Sequence, residues 1–399
     1  MINKGGHMKT IVDYRLSGKR VIIRSDLNVP IENGEITDDT RIRESVETIK
    51  LAVNASSKVI ILSHLGRVKT EEDKQTNSLR PVAAKLSELL GEPVKFIPYT
   101  KGDEVENAVA AMENYDVIML ENTRFEDLEG NRESGNDPEL GRYWASLGDI
   151  FINDAFGTLH RAHASNVGIS KHLPSGIGLL VKKELDVLQE ALEKPRRPFI
   201  VILGGAKVAD KLGVVENLAK VADKIFIGGG MCFTFLKALG YNVGASIVDE
   251  SKIELCKKIY EEHKDKIILP NDIMVGSSLT PMASIRLASI SDIRPNDIGA
   301  DIGVRTIDNL RNVLNGAGTI LWNGPIGVFE LENFNTGTRR LLDYLSASNG
   351  RVILGGGDTA AAAARFGYKD KFYHISTGGG ATLELLEGKE LPGLAALSK

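Results

Sequence analysis

The apolar residues of this chain fall in short continuous runs, each closed by a glycine or polar turn and followed by a helical pattern. In the first half the runs are Val21-Ile-Ile23, Val59-Ile-Ile-Leu62, Val94-Lys-Phe-Ile97, Val117-Ile-Met-Leu120 and Ile150-Phe-Ile152. In the second half they include Phe199-Ile-Val-Ile-Leu203, Ile225-Phe-Ile227, Ile267-Ile-Leu269, Thr319-Ile-Leu-Trp322 and Val352-Ile-Leu354. An unbroken β-branched run suits a strand buried on both faces, as in a parallel sheet. Alternation with helical stretches predicts βαβ units and a doubly wound sheet in each half. Between the halves, Val181, Leu185, Leu188 and Leu192 recur at helical spacing with charges between them. Pro195 and Pro198 then stop that helix. Periodicity does not separate a connector from an ordinary surface helix; we read it as a connector. The expected fold class is α/β, with two doubly wound parallel-sheet (Rossmann-like) lobes joined by a connecting helix.

Length agrees with two lobes. The chain has 399 residues, and single cores stop growing near ~250–300 residues. A net charge of −4 gives no general attraction to nucleic acid or to acidic membrane surfaces. Any anion site must therefore be built locally. Cys232 and Cys256 are the only cysteines. They make no disulfide framework and suit a reducing compartment, so a cytoplasmic location is expected. No apolar run approaches the ~20 residues that span a bilayer, and no signal-peptide core is evident. The leading Met1-Ile-Asn-Lys-Gly-Gly-His7 precedes a second methionine, Met8. We read it as an extension and leave it out of the fold.

In open α/β sheets, ligands bind beyond the carboxyl ends of the strands. In the first half these ends are charged. They read Arg24-Ser-Asp26-Leu-Asn28, Ser63-His64-Leu-Gly66-Arg67, Glu121-Asn-Thr-Arg124 and Asn153-Asp154 on to His160-Arg161-Ala-His163. Arg41 opens a helical pattern after Thr37-Asp-Asp-Thr40. Any one of these arginines reads most simply as a surface ion pair. Their repetition at strand ends points to a crevice for a small, multiply charged anion, which guanidinium forks bind at two points. His160 and His163 have a spacing that a metal site could use, but no third ligand is evident. Imidazole beside arginine fits anion binding better.

The second half ends its strands in glycine. The turns are Gly204-Gly-Ala-Lys207-Val-Ala-Asp-Lys211, Gly228-Gly-Gly-Met231, Gly355-Gly356-Gly357-Asp358-Thr359 and Ser376-Thr-Gly378-Gly379-Gly380. Glycine lets a backbone approach a ligand closely, and N–H groups at a following helix start bind phosphate oxygens. Each turn alone is equally compatible with tight strand-to-helix packing. Four in one half, with a lysine pair and an Asp-Thr, point to a nucleotide. P-loop, protein-kinase and dinucleotide fingerprints are all missing. The residues alone thus read as a kinase for a small anion.

Taken together, Arg24-Ser-Asp-Leu-Asn-Val-Pro30, Ser63-His-Leu-Gly-Arg67, Leu120-Glu-Asn-Thr-Arg124, Asn153-Asp-Ala-Phe-Gly157 and His160-Arg-Ala-His163 resemble the phosphoglycerate kinase family. So do Leu203 to Lys211, Trp322-Asn-Gly-Pro-Ile-Gly-Val-Phe-Glu330, Gly355 to Thr359 and Ser376 to Gly380. The resemblance runs from about Thr10 to the C-terminus. It implies 3-phosphoglycerate or 1,3-bisphosphoglycerate on the first lobe and ATP or ADP with Mg2+ on the second. Asp26, Asn28, Arg41, His64, Arg67, Arg124 and Arg161 would hold the phosphoglycerate, with His160 and His163 flanking it. Lys207 would touch the transferring phosphoryl group, and Lys211 the nucleotide phosphates. Glu330 would take the ribose, Asp358 the metal, and Gly356, Gly357 and Thr359 the phosphates. Gly379 and Gly380, with Gly378, would offer N–H groups to the group in flight. Arg41, Lys207, Gly379 and Gly380 form the expected catalytic set.

The expected lobes are residues 8–178 and 195–382, with 179–194 as the interdomain helix. The segment 383–399 is expected to pack back on the first lobe. Transfer is expected in line, after lobe closure, with no general base, because carboxylate and terminal phosphate are already ionised. A monomer is expected. Another small-anion kinase on the same scaffold is the alternative. Departures from the family pattern are small: Cys232 stands where alanine or another small residue is usual, and the loose match over 297–303 leaves Gly299 without a firm role.

Overall fold

A computed structural model describes residues Met8–Ser398; the expected extension, residues 1–7, and Lys399 lie outside the described residues. The chain divides into two compact units. One comprises the described residues up to Asp186 together with Glu390 onward, and the other is Val187–Lys389. The division falls inside the helix Leu179–Glu193.

In the first unit the strands are β1 (Arg20–Ser25), β2 (Ile31–Glu32), β3 (Glu35–Ile36), β4 (Lys58–Leu62), β5 (Val94–Ile97), β6 (Val117–Leu120), β7 (Ile150–Asp154) and β8 (Ser175–Ile177). Six of them form one parallel sheet in the order β5-β6-β4-β1-β7-β8. The inner strands β6 and β7 are buried along their whole length. This is why their sequences show runs and no alternation. The edge strand β5 keeps Lys95 exposed. Helices from Thr40–Asn54 and Arg80–Leu90 pack Ile42, Ile49, Val82 and Leu86 onto Val21, Ile23, Val59 and Ile61. β2 and β3 pair as a separate short hairpin.

The second unit contains β9 (Phe199–Leu203), β10 (Lys224–Ile227), β11 (Ile267–Ile268), β12 (Asp272–Gly276), β13 (Ile285–Ser289), β14 (Ile298–Ile302), β15 (Thr319–Asn323), β16 (Arg351–Gly355) and β17 (His374–Ile375). Its parallel sheet has the order β11-β10-β9-β15-β16-β17. The winding reverses between β9 and β15, so their carboxyl ends open a crevice. Trp322, Ile202 and Leu354 lie in the core beside it.

The structure adds elements that the pattern did not announce. β12, β13 and β14 form an antiparallel sheet in the order β13-β12-β14. β13 is an edge strand whose Ile285 and Leu287 stay exposed, so it lacks the apolar run that marks its parallel neighbours. β8 and β17 are two or three residues long, too short for a periodic signal. The helix Gly380–Leu386 packs within the second unit, where Asn217 donates to the Leu386 carbonyl at 2.8 Å. Residues from Glu390 on belong to the first unit. There Leu391 and Leu394 are buried and the Gly393 N–H donates to the Leu159 carbonyl at 2.9 Å.

Asp154, the last residue of β7, lies fully buried at the start of the helix Leu179–Glu193. Its Oδ1 accepts the Val181 N–H at 3.1 Å, while Oδ2 has no partner. Burial raises its pKa to about 6, against the bonds from Thr48, Val181 and Leu180. A raised folded-state pKa favours the protonated form. The stability it contributes is fully present below about pH 4 and is lost as pH rises through about 6. Replacing Asp154 by Asn removes this dependence. We expect the stability of Asp154→Asn relative to the parent to improve by up to about 3 kcal/mol between pH 4 and pH 7. Urea unfolding at the two pH values checks this; a difference that does not change with pH contradicts it.

Candidate functional site

The first unit gathers its site at the carboxyl ends of β1, β4, β6 and β7. β1 leads into Asp26, which is buried and accepts from Arg41 Nη1 at 3.1 Å. The same nitrogen donates to the Asn28 carbonyl at 3.2 Å. Arg41 stands in the first turn of Thr40–Asn54, so a helix start and a strand end are tied together. Beyond β4, the Gly66 N–H donates to Asn28 Oδ1 at 2.8 Å, and the Gly66 carbonyl accepts from Arg124 Nη1 at 2.6 Å. Arg124 is held from behind by its own N–H on Asn122 Oδ1 at 3.0 Å. Its Nε is buried without a partner.

The electrostatics of this region are those of a binding site for negative charge. Burial lowers the Arg124 pKa first, and Arg161 and Arg67 lower it further by repulsion, against Asp127 and Glu133. His64 is pushed well below the ordinary imidazole value by burial, then by Arg24, Arg124, His163 and Arg41. His163 falls to about 3, from burial and from Arg24, Arg124, Arg161 and His160. Both imidazoles are therefore neutral at pH 7. Arg161 Nε donates to His160 Nε2 at 3.1 Å. Arg67 and Arg161 are exposed. Arg41 is ion-paired with Asp26, but among the described residues Arg67, Arg124 and Arg161 make no ion pair, and Asp127 and Glu133 only partly offset their repulsion. A multiply charged anion supplies what is missing.

Arg24, which opens the first strand-end motif, faces inward. It is fully buried; its Nε donates to Ser165 Oγ at 2.8 Å and its Nη2 lies 3.2 Å from His64 Nδ1. A guanidinium only donates, so His64 Nδ1 accepts and the ring proton sits on Nε2. Of the strand-end arginines, then, Arg24 orients its neighbours from beneath.

In the second unit a cavity of about 290 Å³ opens at the β9/β15 crevice. Gly205, Ala206, Gly229 and Gly230 form one wall, and Pro325, Gly327 and Val328 another. Phe233, Leu279 and Ile298 give apolar faces, while Glu330 and Asp358 bring carboxylates. The helix Gly357–Arg365 starts here, preceded by Gly356 at φ +87°. That left-handed backbone favours glycine, and it leaves the first-turn N–H groups of Gly357, Asp358 and Thr359 free of helical partners. Thr359 Oγ1 accepts the Gly324 N–H at 2.7 Å and so fastens this helix to the crevice.

The lysines differ. Lys207 is exposed in the turn after β9. Lys211 is buried, and its Nζ donates to the Gly204 carbonyl at 2.6 Å and the Asn323 carbonyl at 3.1 Å. Burial lowers its pKa to about 8, opposed by Asp358 and Asp210. Gly379, at φ +52°, precedes the helix that begins at Gly380, and the Gly378 N–H donates to Ser376 Oγ at 3.2 Å. Cys232 lies buried on the cavity wall, where burial pushes its thiol pKa up.

Sequence reasoning missed the apolar cavity wall. Pro325 and Val328 stood in a quoted motif, yet only Glu330 was taken from it. Phe233 and Leu279 had no local signal, since an apolar residue on a helix or in a loop reads as packing. Gly299 acquires a reason here: a Cβ there would overlap the Phe233 ring. Glu133 and Ser165, beneath the first site, were missed as well. Among the described residues no group of three His, Cys, Asp or Glu side chains is placed to hold a metal.

The family model "Phosphoglycerate kinase" matches residues 11–389. A protein named phosphoglycerate kinase from Enterococcus faecalis is 54% identical over 392 residues, 98% of this chain and 99% of its own. One of the same name from Listeria innocua is 52% identical over 391 residues, again 98% and 99%. Among solved structures, phosphoglycerate kinase from Coxiella burnetii superposes with a TM-score of 0.87 at 39% identity, covering 98% of this chain and 100% of that one. The enzyme from Pyrococcus horikoshii gives 0.85 at 31% identity, with 98% of each covered.

Gly299→Ala is expected to drive the Phe233 ring into the cavity. Adenine-nucleotide affinity should fall about tenfold, the scale of a small core overpacking. Affinity for 3-phosphoglycerate should not change. Isothermal titration with each ligand checks this; equal loss for both would show a general folding defect.

Proposed function

This chain belongs to the phosphoglycerate kinase family, and from that premise we propose how its own residues divide the work. The activity is reversible phosphoryl transfer between 1,3-bisphosphoglycerate and ADP, giving 3-phosphoglycerate and ATP. The enzyme is a phosphotransferase with a carboxyl acceptor, acting in glycolysis, and ATP or ADP is its co-substrate.

We assign phosphoglycerate to the first unit and nucleotide to the second. The observation that supports the first assignment is the group of arginines, Arg67, Arg124 and Arg161, which repel one another while only Asp127 and Glu133, neither in an ion pair with Arg124, oppose that repulsion at Arg124. Asp26 and Asn28 orient Arg41 and Gly66 around it. His64, neutral with its proton on Nε2, donates to the ligand and adds no charge. The cavity at the β9/β15 crevice supports the second assignment. Glu330 is suited to the ribose hydroxyls, and the N–H groups of Gly357 and Thr359 to phosphate oxygens. Lys207 makes no ion pair among the described residues and is suited to the group in flight. Gly379 and Gly380 extend the set of N–H donors.

Mg2+ fits what is present. One exposed carboxylate, Asp358, at a site for phosphates matches the way this ion is held, by one or two carboxylates plus phosphates and water. When bound it neutralises charge on the phosphate oxygens. The chemical step breaks the acyl-phosphate P–O bond and forms one to the terminal oxygen of ADP; 3-phosphoglycerate leaves as a carboxylate. Both nucleophiles are already ionised, so the residues orient reactants and hold charge and move no proton. Because the ligands are assigned to different units, we propose that transfer in line follows closure of the two lobes.

We also propose a monomer in the cytoplasm, with no nucleic-acid or membrane partner. Two unpaired, buried cysteines support a reducing compartment. No helix among the described residues is long and apolar enough to cross a membrane.

A coupled assay following ATP formed from 1,3-bisphosphoglycerate and ADP tests the assignment residue by residue. Arg41→Ala and Lys207→Ala are each expected to lower kcat by about 10²–10³-fold, with the circular dichroism spectrum unchanged. A near-normal kcat removes that residue from the catalytic set.

A further inference from the structure

Glu133 lies in the polar turn Gly130-Asn-Arg-Glu-Ser-Gly135, a stretch that looks fully solvated in sequence. Its side chain is nevertheless completely buried. It grips the two residues that follow His163. The Ala164 N–H donates to the Glu133 carbonyl at 2.9 Å, the Ser165 N–H to Oε2 at 2.9 Å, and Ser165 Oγ to Oε1. His163 Nδ1 stands 3.7 Å from the same Oε1. Ser165 Oγ accepts from Arg24 Nε, so its own proton is directed to Glu133. Arg24 is completely buried, and Glu133, with Oε1 4.0 Å from Nη2, is the carboxylate paired with it. Asp26 adds a weaker attraction. Arg24 in turn sets the His64 tautomer.

We infer that Glu133 is a positioning residue for phosphoglycerate binding: it fixes the loop bearing His160, Arg161 and His163 and, through Ser165 and Arg24, the donor face of His64. This rests on the reading that those residues line the phosphoglycerate site. Three physical points support it. A buried charge needs an opposite charge and satisfied donors, and Arg24 has Glu133 at 4.0 Å with Ser165 Oγ, the Ser25 carbonyl and His64 Nδ1 accepting from it. Bonds to main chain and side chain of one segment lock that segment more firmly than a lone ion pair does. Neutralising Arg24 also limits its repulsion of Arg124, which Arg24 feels in return. The charge of Arg124 then remains directed at the ligand.

The test is Glu133→Gln, which keeps size and removes charge. Its KM for 3-phosphoglycerate is expected to rise about tenfold, the scale of one coupled interaction. KM for ATP and kcat should stay within about twofold. A folded variant with unchanged phosphoglycerate KM overturns the inference, as does an equal rise in both KM values. Should Glu133→Gln fail to fold, Ser165→Ala removes only the hydroxyl link. There a rise of roughly threefold, again confined to phosphoglycerate, is expected, and no rise overturns the inference. Arg161→Ala serves as the reference. If it raises the phosphoglycerate KM and Glu133→Gln does not, the inference fails and the site assignment stands. If neither does, both fail.

Discussion

Like charges held together at the carboxyl end of one sheet set the terms for everything around them. At about 4 Å, two unit charges repel by roughly 1–4 kcal/mol between bulk water and a protein surface. Arg124 has Arg161 and Arg67 as neighbours, and Arg24 lies behind it. The sheet makes this tolerable because its strands are buried along their length and cannot drift apart. Two arginines are matched locally, Arg41 by Asp26 and Arg24 by Glu133. The imidazoles escape the repulsion by staying neutral. The unmatched remainder is the binding energy available to an anion, so ligand binding and local stability are linked.

The second unit solves a related problem with main chain in place of side chains. The nucleotide phosphates proposed for this unit are bulky and highly charged. Backbone N–H groups at a helix start give directed donors without adding full charges. The parallel sheet provides such starts at one edge, and glycine allows the close approach. In the proposed assignment, the apolar walls of Phe233, Leu279 and Val328 would take the base by shape.

Most of the fold was legible because parallel strands buried on both faces write themselves as apolar runs. The antiparallel sheet was not, since β13 is an edge strand with exposed Ile285 and Leu287 and no clean period. For the site, the positions that stand at a strand end could be read directly from the runs, as with Arg124 and Asp358. Chemistry that depends on what lies beneath could not. Arg24 looks the same in sequence as Arg124, yet Arg24 is fully enclosed while Arg124 stands beside Arg67 and Arg161. Glu133 in a turn of Gly, Asn and Ser gives no hint of burial, because the segment that buries it, Ala164–Ser165, comes some thirty residues later.

The ammonium of Lys211 bridges the carbonyls of Gly204, which follows β9, and Asn323, which ends β15. β9 and β15 are paired to their last residues, and the Gly204 N–H itself donates to the Asn323 carbonyl at 2.9 Å, so the ladder ends where the cleft begins. One side chain anchored to both therefore acts as a gauge of the opening. The lysine that sequence alone casts as a phosphate ligand is thus also the caliper of the cleft.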